Sequence, residues 1–170
     1  DQACPGGNGG AASPTCSGVS ESTGQFTSAF TGAGGGTTPP PPPPGSGPVT
    51  LAYNGLCLDD RSASTTNFNP IQVYTCNGTN AQQWTQTSSN QLMVLGKCLD
   101  VNGAGTANGT TVDLYDCNGT GAQVWIHQSD GAYLNPNSGK CLDDTGYGGS
   151  GTQSQIWACT GNSNQSWSLP

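Results

Sequence analysis

A chain of 170 residues with 3 Lys and Arg against 10 Asp and Glu has a formal charge of −7, which excludes the basic face that nucleic acid or an anionic membrane surface requires. Charged residues make up only 8% of the chain, while Gly, Asn, Ser, Thr and Gln are abundant; such a surface offers neutral hydrogen-bonding groups, which suit an uncharged polyol better than an ion. No run of eighteen apolar residues is present to span a membrane, and with no charged-then-apolar leader at Asp1 the chain reads as a mature or trimmed polypeptide. The eight cysteines, an even number at regular spacing in a chain poor in aliphatic residues, predict a disulfide framework and therefore an oxidising, extracellular compartment.

In chain order, residues 1–33 come first, with Cys4 and Cys16 flanking a Gly/Ala/Ser loop. A segment this short with two Phe and one Val cannot build its own core, so it reads as the C-terminal remnant of an upstream domain, closed locally by a Cys4–Cys16 bridge. Residues 34–48, GGGTTPPPPPPGSGP, follow. The six prolines Pro39 to Pro44 favour a stiff polyproline II rod between Gly-rich hinges. This is a linker, and a linker implies a folded partner on each side.

Residues 49–170 repeat three times. GLCLDD begins at Gly55, GKCLDV at Gly96 and GKCLDD at Gly139. A second cysteine follows in each, within IQVYTCNGT, VDLYDCNGT and SQIWACTGN, and each unit closes on Gln-x-Trp at Gln82–Trp84, Gln123–Trp125 and Gln165–Trp167. The cysteines within a unit lie 19, 19 and 18 residues apart. That recurrence predicts bridges inside each repeat, Cys57–Cys76, Cys98–Cys117 and Cys141–Cys159, each closing a loop worth roughly 3 kcal/mol. Apolar runs such as Val49–Tyr53, Leu92–Leu95 and Val112–Tyr115 are short, are separated by Asn-Gly turns, and have no helical period. Three units of this kind predict an all-β, closed structure with pseudo-three-fold symmetry. Leu58, Leu99 and Leu142, with Val73, Leu114, Ile156 and the three closing tryptophans, are its expected core.

The CLD…C…QxW repeats resemble the ricin B-type lectin domain and its enzyme-attached relatives, carbohydrate-binding module family 13, over residues 49–170. The resemblance implies a β-trefoil with up to three sugar sites, one per repeat, for galactose, xylan or related glycans. A pyranose needs a flat aromatic against its C–H face and paired acceptors and donors at its hydroxyl rim. Tyr74, Tyr115 and Trp157 stand two residues before the second cysteines, and Asp59, Asp100 and Asp143 two after the first; an ionised carboxylate makes the stronger, charge-assisted bonds to hydroxyls. The family pattern adds a polar residue four before the second cysteine, here Gln72, Asp113 and Gln155, and an Asn before the Gln of Gln-x-Trp. Only the third repeat keeps that Asn, as Asn164-Gln165; the others have Ala81 and Ala122, with Asn80 one position too early. The third site, with Trp157 and a nearby Tyr147, ranks first, and Gln165 joins its candidates while the Gln-x-Trp glutamines also brace the backbone.

The carboxylates are spread over three rims, the doublets Asp59-Asp60 and Asp143-Asp144 should diverge, and His127 is the one histidine, so the chain is expected to be non-catalytic and to need neither metal nor cofactor. Asn77 and Asn118, although they begin Asn-x-Thr triplets, occupy a repeated turn. The leading expectation is a polysaccharide-targeting module of a secreted glycoside hydrolase, monomeric, with an upstream catalytic domain as neighbour. A stand-alone lectin or toxin-type cell-binding subunit is the second reading, and a structural trefoil with degenerate sugar sites the third.

Overall fold

The computed structural model describes residues 45–169. The expected Cys4–Cys16 bridge, the upstream remnant and the polyproline run lie outside the described residues.

One strand precedes the repeats, β1 (Ser46–Gly47). The first repeat contains β2 (Thr50–Leu51), β3 (Cys57–Asp60), β4 (Asn69–Tyr74) and β5 (Trp84–Gln86). The second contains β6 (Leu92–Val94), β7 (Lys97–Val101), β8 (Val112–Tyr115) and β9 (Ile126–His127). The third contains β10 (Tyr133–Asn135), β11 (Lys140–Asp144), β12 (Thr152–Trp157) and β13 (Trp167–Ser168). Antiparallel pairs join one repeat to the next: β5 with β6, β9 with β10, and β13 back to β2. β4 pairs with both β8 and β12, and Thr111 bridges to Gln155, so the long strands of all three repeats meet. The result is the expected all-β trefoil.

The expected linker boundary needs correction. Ser46 and Gly47 pair with Thr85 and Trp84, and Gly47 is buried. Composition marks 45–48 as loop, but two backbone units can join a sheet edge whatever their side chains.

The three disulfides form within the repeats as expected: Cys57–Cys76, Cys98–Cys117 and Cys141–Cys159. Period-2 alternation turns Leu58, Leu99 and Leu142 inward, where they are fully buried with Val73, Leu114 and Ile156. Trp84, Trp125 and Trp167 fill the same core. Each indole N–H donates to the carbonyl of its repeat's leucine, Leu58 (2.8 Å), Leu99 (3.0 Å) and Leu142 (3.1 Å). The Gln-x-Trp tryptophan therefore locks its own repeat's first long strand while burying an aromatic payload.

Candidate sugar-binding clefts

The hairpin register repeats three times. Cys57, Leu58, Asp59 and Asp60 face Tyr74, Val73, Gln72 and Ile71. Cys98, Leu99, Asp100 and Val101 face Tyr115, Leu114, Asp113 and Val112. Cys141, Leu142, Asp143 and Asp144 face Trp157, Ile156, Gln155 and Ser154. Each repeat thus sets its carboxylate beside the polar residue four before the second cysteine, with the aromatic two residues further along the same strand.

Each first strand then runs into a 3₁₀ turn, Arg61–Ala63, Asn102–Ala104 or Thr145–Tyr147, containing two left-handed residues. Gly103 and Gly146 adopt that conformation at no steric cost; Ser62, Ala63, Ala104 and Tyr147 (φ 55°) do not. The turn folds the chain back as the wall of a cleft. A second 3₁₀ turn, Asn80–Gln82, Gly121–Gln123 or Ser163–Gln165, carries the Gln of Gln-x-Trp beneath it.

Those glutamines are buried hubs. Gln82 Nε2 donates to Asp59 Oδ2 (2.9 Å) and to the Thr75 carbonyl, and its Oε1 accepts from the Asn77 backbone N–H. Gln123 does the same for Asp100, Asp116 and Asn118. Gln165 Nε2 donates to Asp143 Oδ2 (2.8 Å) and the Ala158 carbonyl, while its Oε1 accepts from the backbone N–H of Thr160 and bonds its hydroxyl. Every polar atom of Gln165 is committed to protein, and it does not line the cleft. Its side chain orients Asp143 from beneath the cleft.

Three clefts result. The first, about 520 Å³, includes Asp59, Arg61, Gln72, Tyr74, Asn80 and Ala81 in its lining. Asp59 accepts Gln72 Nε2 on Oδ1 (2.8 Å) opposite its bond from Gln82. Asn80, one position early in sequence, nonetheless lines this cleft.

The second, about 320 Å³, has Asp100, Tyr115 and Ala122 with Phe68, which meets Tyr115 edge-on at 5.0 Å. Asp113 is not part of its lining; it is 2% exposed, and its Oδ2 accepts Asn102 Nδ2 (2.7 Å) while Oδ1 has no partner. Burial, with the Asp100 carboxylate alongside, pushes Asp113 up to about 6. Asp113 thus lies outside the cleft lining, and as a carboxylate it cannot donate to its partner as Gln72 and Gln155 do.

The third, about 400 Å³, brings together Asp143, Tyr147, Gln155, Trp157 and Asn164. Asp143 accepts Gln155 Nε2 on Oδ1 (2.9 Å), and Asn164 and Gln165 on Oδ2. Asn164 Nδ2 also reaches the Asp144 carbonyl (3.2 Å), leaving its buried Oδ1 without a protein partner. Trp157 is 41% exposed, as are Tyr74 and, in part, Tyr115. The clefts thus bring the expected aromatics and first carboxylates together in all three repeats, and the Asn adjoining the Gln of Gln-x-Trp only in the third.

Sequence reasoning missed that each cleft borrows from a neighbouring repeat. Asn67 Oδ1 accepts from the Asp116 N–H, Asn108 Oδ1 from the Ala158 N–H, and Ser150 Oγ from the Thr75 N–H (3.0, 2.8 and 3.0 Å). Each bond pins the strand end just beyond a platform aromatic. Gly109 follows Asn108 and approaches Trp157, so that a Cβ there would stand 3.8 Å from the indole. Tyr53 leans edge-on against Tyr147 at 5.0 Å across repeats. The loop residues share no motif with the cysteines, and only their matching place before a left-handed residue (Phe68, Gly109, Gly151) signals them. Asn77 and Asn118 instead serve turns, each Oδ1 accepting from the N–H and hydroxyl of the Thr two residues on. His127 packs on Tyr133 and bonds the Trp167 carbonyl.

Residues 45–167 match the model of the ricin-type beta-trefoil lectin domain. Serine protease 1 of Rarobacter faecitabidus is 42% identical over 115 residues, covering 68% of this chain and 22% of that protein. The chain therefore spans about a fifth of the length of the curated relative it matches. Among solved structures, the designed three-fold symmetric protein ThreeFoil is similar at 29% identity and TM-score 0.68, over 74% of this chain and 97% of that one. The exo-beta-1,3-galactanase 1,3Gal43A of Clostridium thermocellum is similar at 26% identity and TM-score 0.68, over 75% of this chain and 30% of that one.

Proposed function

Because the chain belongs to the ricin-type β-trefoil lectin domain family, for which carbohydrate binding is implied, we propose that it is the polysaccharide-targeting module of a secreted enzyme and that its third-repeat cleft is the principal sugar site. The carrying observation is the chemistry of that cleft. A half-exposed indole stands beside a carboxylate held by three amide donors, and the Asn164 carbonyl oxygen is buried without a partner. A pyranose stacked on Trp157 would present hydroxyls that donate to the Asp143 carboxylate, the charge-assisted kind of hydrogen bond.

Galactose-, xylose- or arabinose-containing glycans are the proposed ligands; the similarity to a galactanase supports galactose among them. Binding at one such cleft is weak, and three clefts on one module act together on a polymer through effective concentration. The module itself is non-catalytic in this reading, monomeric, and joined to a catalytic domain upstream of the Pro-rich stretch. A glycoside hydrolase is the proposed parent. A protease parent is the second reading, favoured by the 42% identity to a serine protease.

Calorimetric titration with galactose, lactose, xylo- and arabino-oligosaccharides, on wild type and Trp157→Ala, tests the proposal. A neutral sugar that binds wild type and loses at least tenfold in affinity with Trp157→Ala supports it. Failure of every glycan to bind the folded protein refutes it.

A further inference from the structure

Arg61 is the one cationic residue lining any of the three clefts. It opens the 3₁₀ turn of the first repeat, where the second and third have Asn102 and Thr145. Its Nε–H donates to Gln72 Oε1 (2.8 Å), and Nη2 donates to the Gly151 carbonyl (3.4 Å). A guanidinium has five N–H donors; the other three have no partner among the described residues. Nor does Arg61 form an ion pair there, where Lys97–Asp116 is the one salt bridge.

The carboxylates of the same cleft do not serve as its counter-ion. Asp59 is occupied by Gln72 and Gln82, and Asp60 is fully buried with Oδ1 accepting from Asn69 Nδ2 (2.7 Å). Burial pushes Asp60 up to about 6, so in mildly acidic medium the charge beside Arg61 falls further. At the same time this cleft lacks the Asn of the third repeat, since Ala81 stands in its place. The first-repeat cleft thus carries a cation with no ion-pair partner among the described residues, where the equivalent turns begin with Asn102 and Thr145, in a chain of net charge −7.

We propose that the first-repeat cleft takes an acidic sugar, with Arg61 receiving the carboxylate of a hexuronate residue stacked on Tyr74. A planar carboxylate matches the guanidinium fork, which a neutral hydroxymethyl group does not. Because Nε is already fixed by Gln72, the fork is held in place before the ligand arrives, and little rotamer entropy is lost on binding. The module then reads two glycan chemistries, acidic at the first repeat and neutral at the third. A polysaccharide bearing uronate among neutral sugars would engage both clefts at once.

This inference rests on the lectin reading above, and the experiment separates the two. Oligogalacturonate, its methyl ester and a neutral galacto-oligosaccharide are titrated into wild type, Trp157→Ala and Arg61→Gln at two salt concentrations. Trp157→Ala is expected to lose the neutral ligand and keep oligogalacturonate. Arg61→Gln is expected to lower the acid-to-neutral affinity ratio about tenfold, and wild-type binding of the acid should weaken with salt while that of the methyl ester does not. A purely structural Arg61 would leave that ratio and the salt dependence untouched, and this result overturns the proposal. Equal affinity for the acid and its methyl ester overturns it as well. If the neutral sugar binds and oligogalacturonate does not, only this inference fails; if neither binds, the lectin reading fails with it.

Discussion

Replacing Asp144 by Asn should stabilise the protein at neutral pH and do nothing at pH 4. Asp144 is fully buried, neither carboxylate oxygen has a sound hydrogen bond, and the Gly148 backbone N–H offers only weak compensation. Burial, reinforced by the charge of Asp143, pushes it up to about 6 from 3.8. A folded-state value above the unfolded one means that folding favours the proton-bound form. Stability is then highest below pH 4, declines as pH rises through the interval to about 6, and stays reduced above it. Two pH units correspond to about 3 kcal/mol at most, and solvent relaxation around a group in so small a domain reduces this to about 1–2 kcal/mol. The second repeat has Val101 in the equivalent place, packed in the core, so the position does not need a charge. An Asn there finds the unpartnered Ser154 hydroxyl opposite on β12 as a partner for its amide.

Thermal unfolding of wild type and Asp144→Asn from pH 4 to 8 measures the effect. At pH 7.5 the variant should melt about 4–8 °C higher, with the gap closing toward pH 4. Asp60 and Asp113 are raised for the same first cause, burial, so both proteins should still lose stability between pH 4 and 7. Asp116, paired with Lys97 and held below its ordinary value by that bond, acts in the opposite sense, but it is solvent-exposed. A variant less stable than wild type at pH 7.5, or a gap of the same size at both ends, refutes the reasoning.

Gln123→Ala removes two donated bonds and one accepted bond and strands the Asp100 carboxylate, the Asp116 carbonyl and the Asn118 N–H. Denaturant unfolding should register a loss of about 2–4 kcal/mol, and a loss under 1 kcal/mol would show that water replaces the hub. Ala81→Asn places the third repeat's amide on the matching 3₁₀ turn, within reach of Asp59 by analogy with Asn164 on Asp143. In the Trp157→Ala background, titration should then show roughly tenfold tighter neutral-sugar binding at the first cleft, and no gain would mean that Arg61 already occupies the space the hydroxyl rim requires.

The fold was legible because its determinants repeat. A cysteine, leucine and aspartate in one strand, and Gln-x-Trp at the close, recur at a fixed spacing, and each instance has the same buried role: Trp84, Trp125 and Trp167 on a leucine carbonyl, Gln82, Gln123 and Gln165 on an aspartate. The linker end at Pro48 was misread because β1 is held by backbone pairing, to which composition is blind. The geometry of Gln165 is hidden for a different reason. Adjacency to Asn164 in sequence suggests a shared role, yet one residue along a 3₁₀ turn rotates the side chain from the cleft to the space beneath it.

The clefts were less legible than the fold because they are built across repeats. Their walls come from loops whose residues differ at equivalent places: Asn67-Phe68, Asn108-Gly109 and Ser150-Gly151 each support the aromatic of another repeat. A residue that braces Trp157 from forty-odd positions away leaves no local signature, and the three-fold period hides it, since the neighbour it serves is a different unit of the same pattern. The same separation explains how the sites can diverge without loss of the trefoil. The anchors lie beneath the clefts and are satisfied by one another, so exchanging Asn for Ala at 81 and 122, or Thr for Arg at 61, changes what a cleft offers a ligand and leaves the leucine–tryptophan–glutamine scaffold intact.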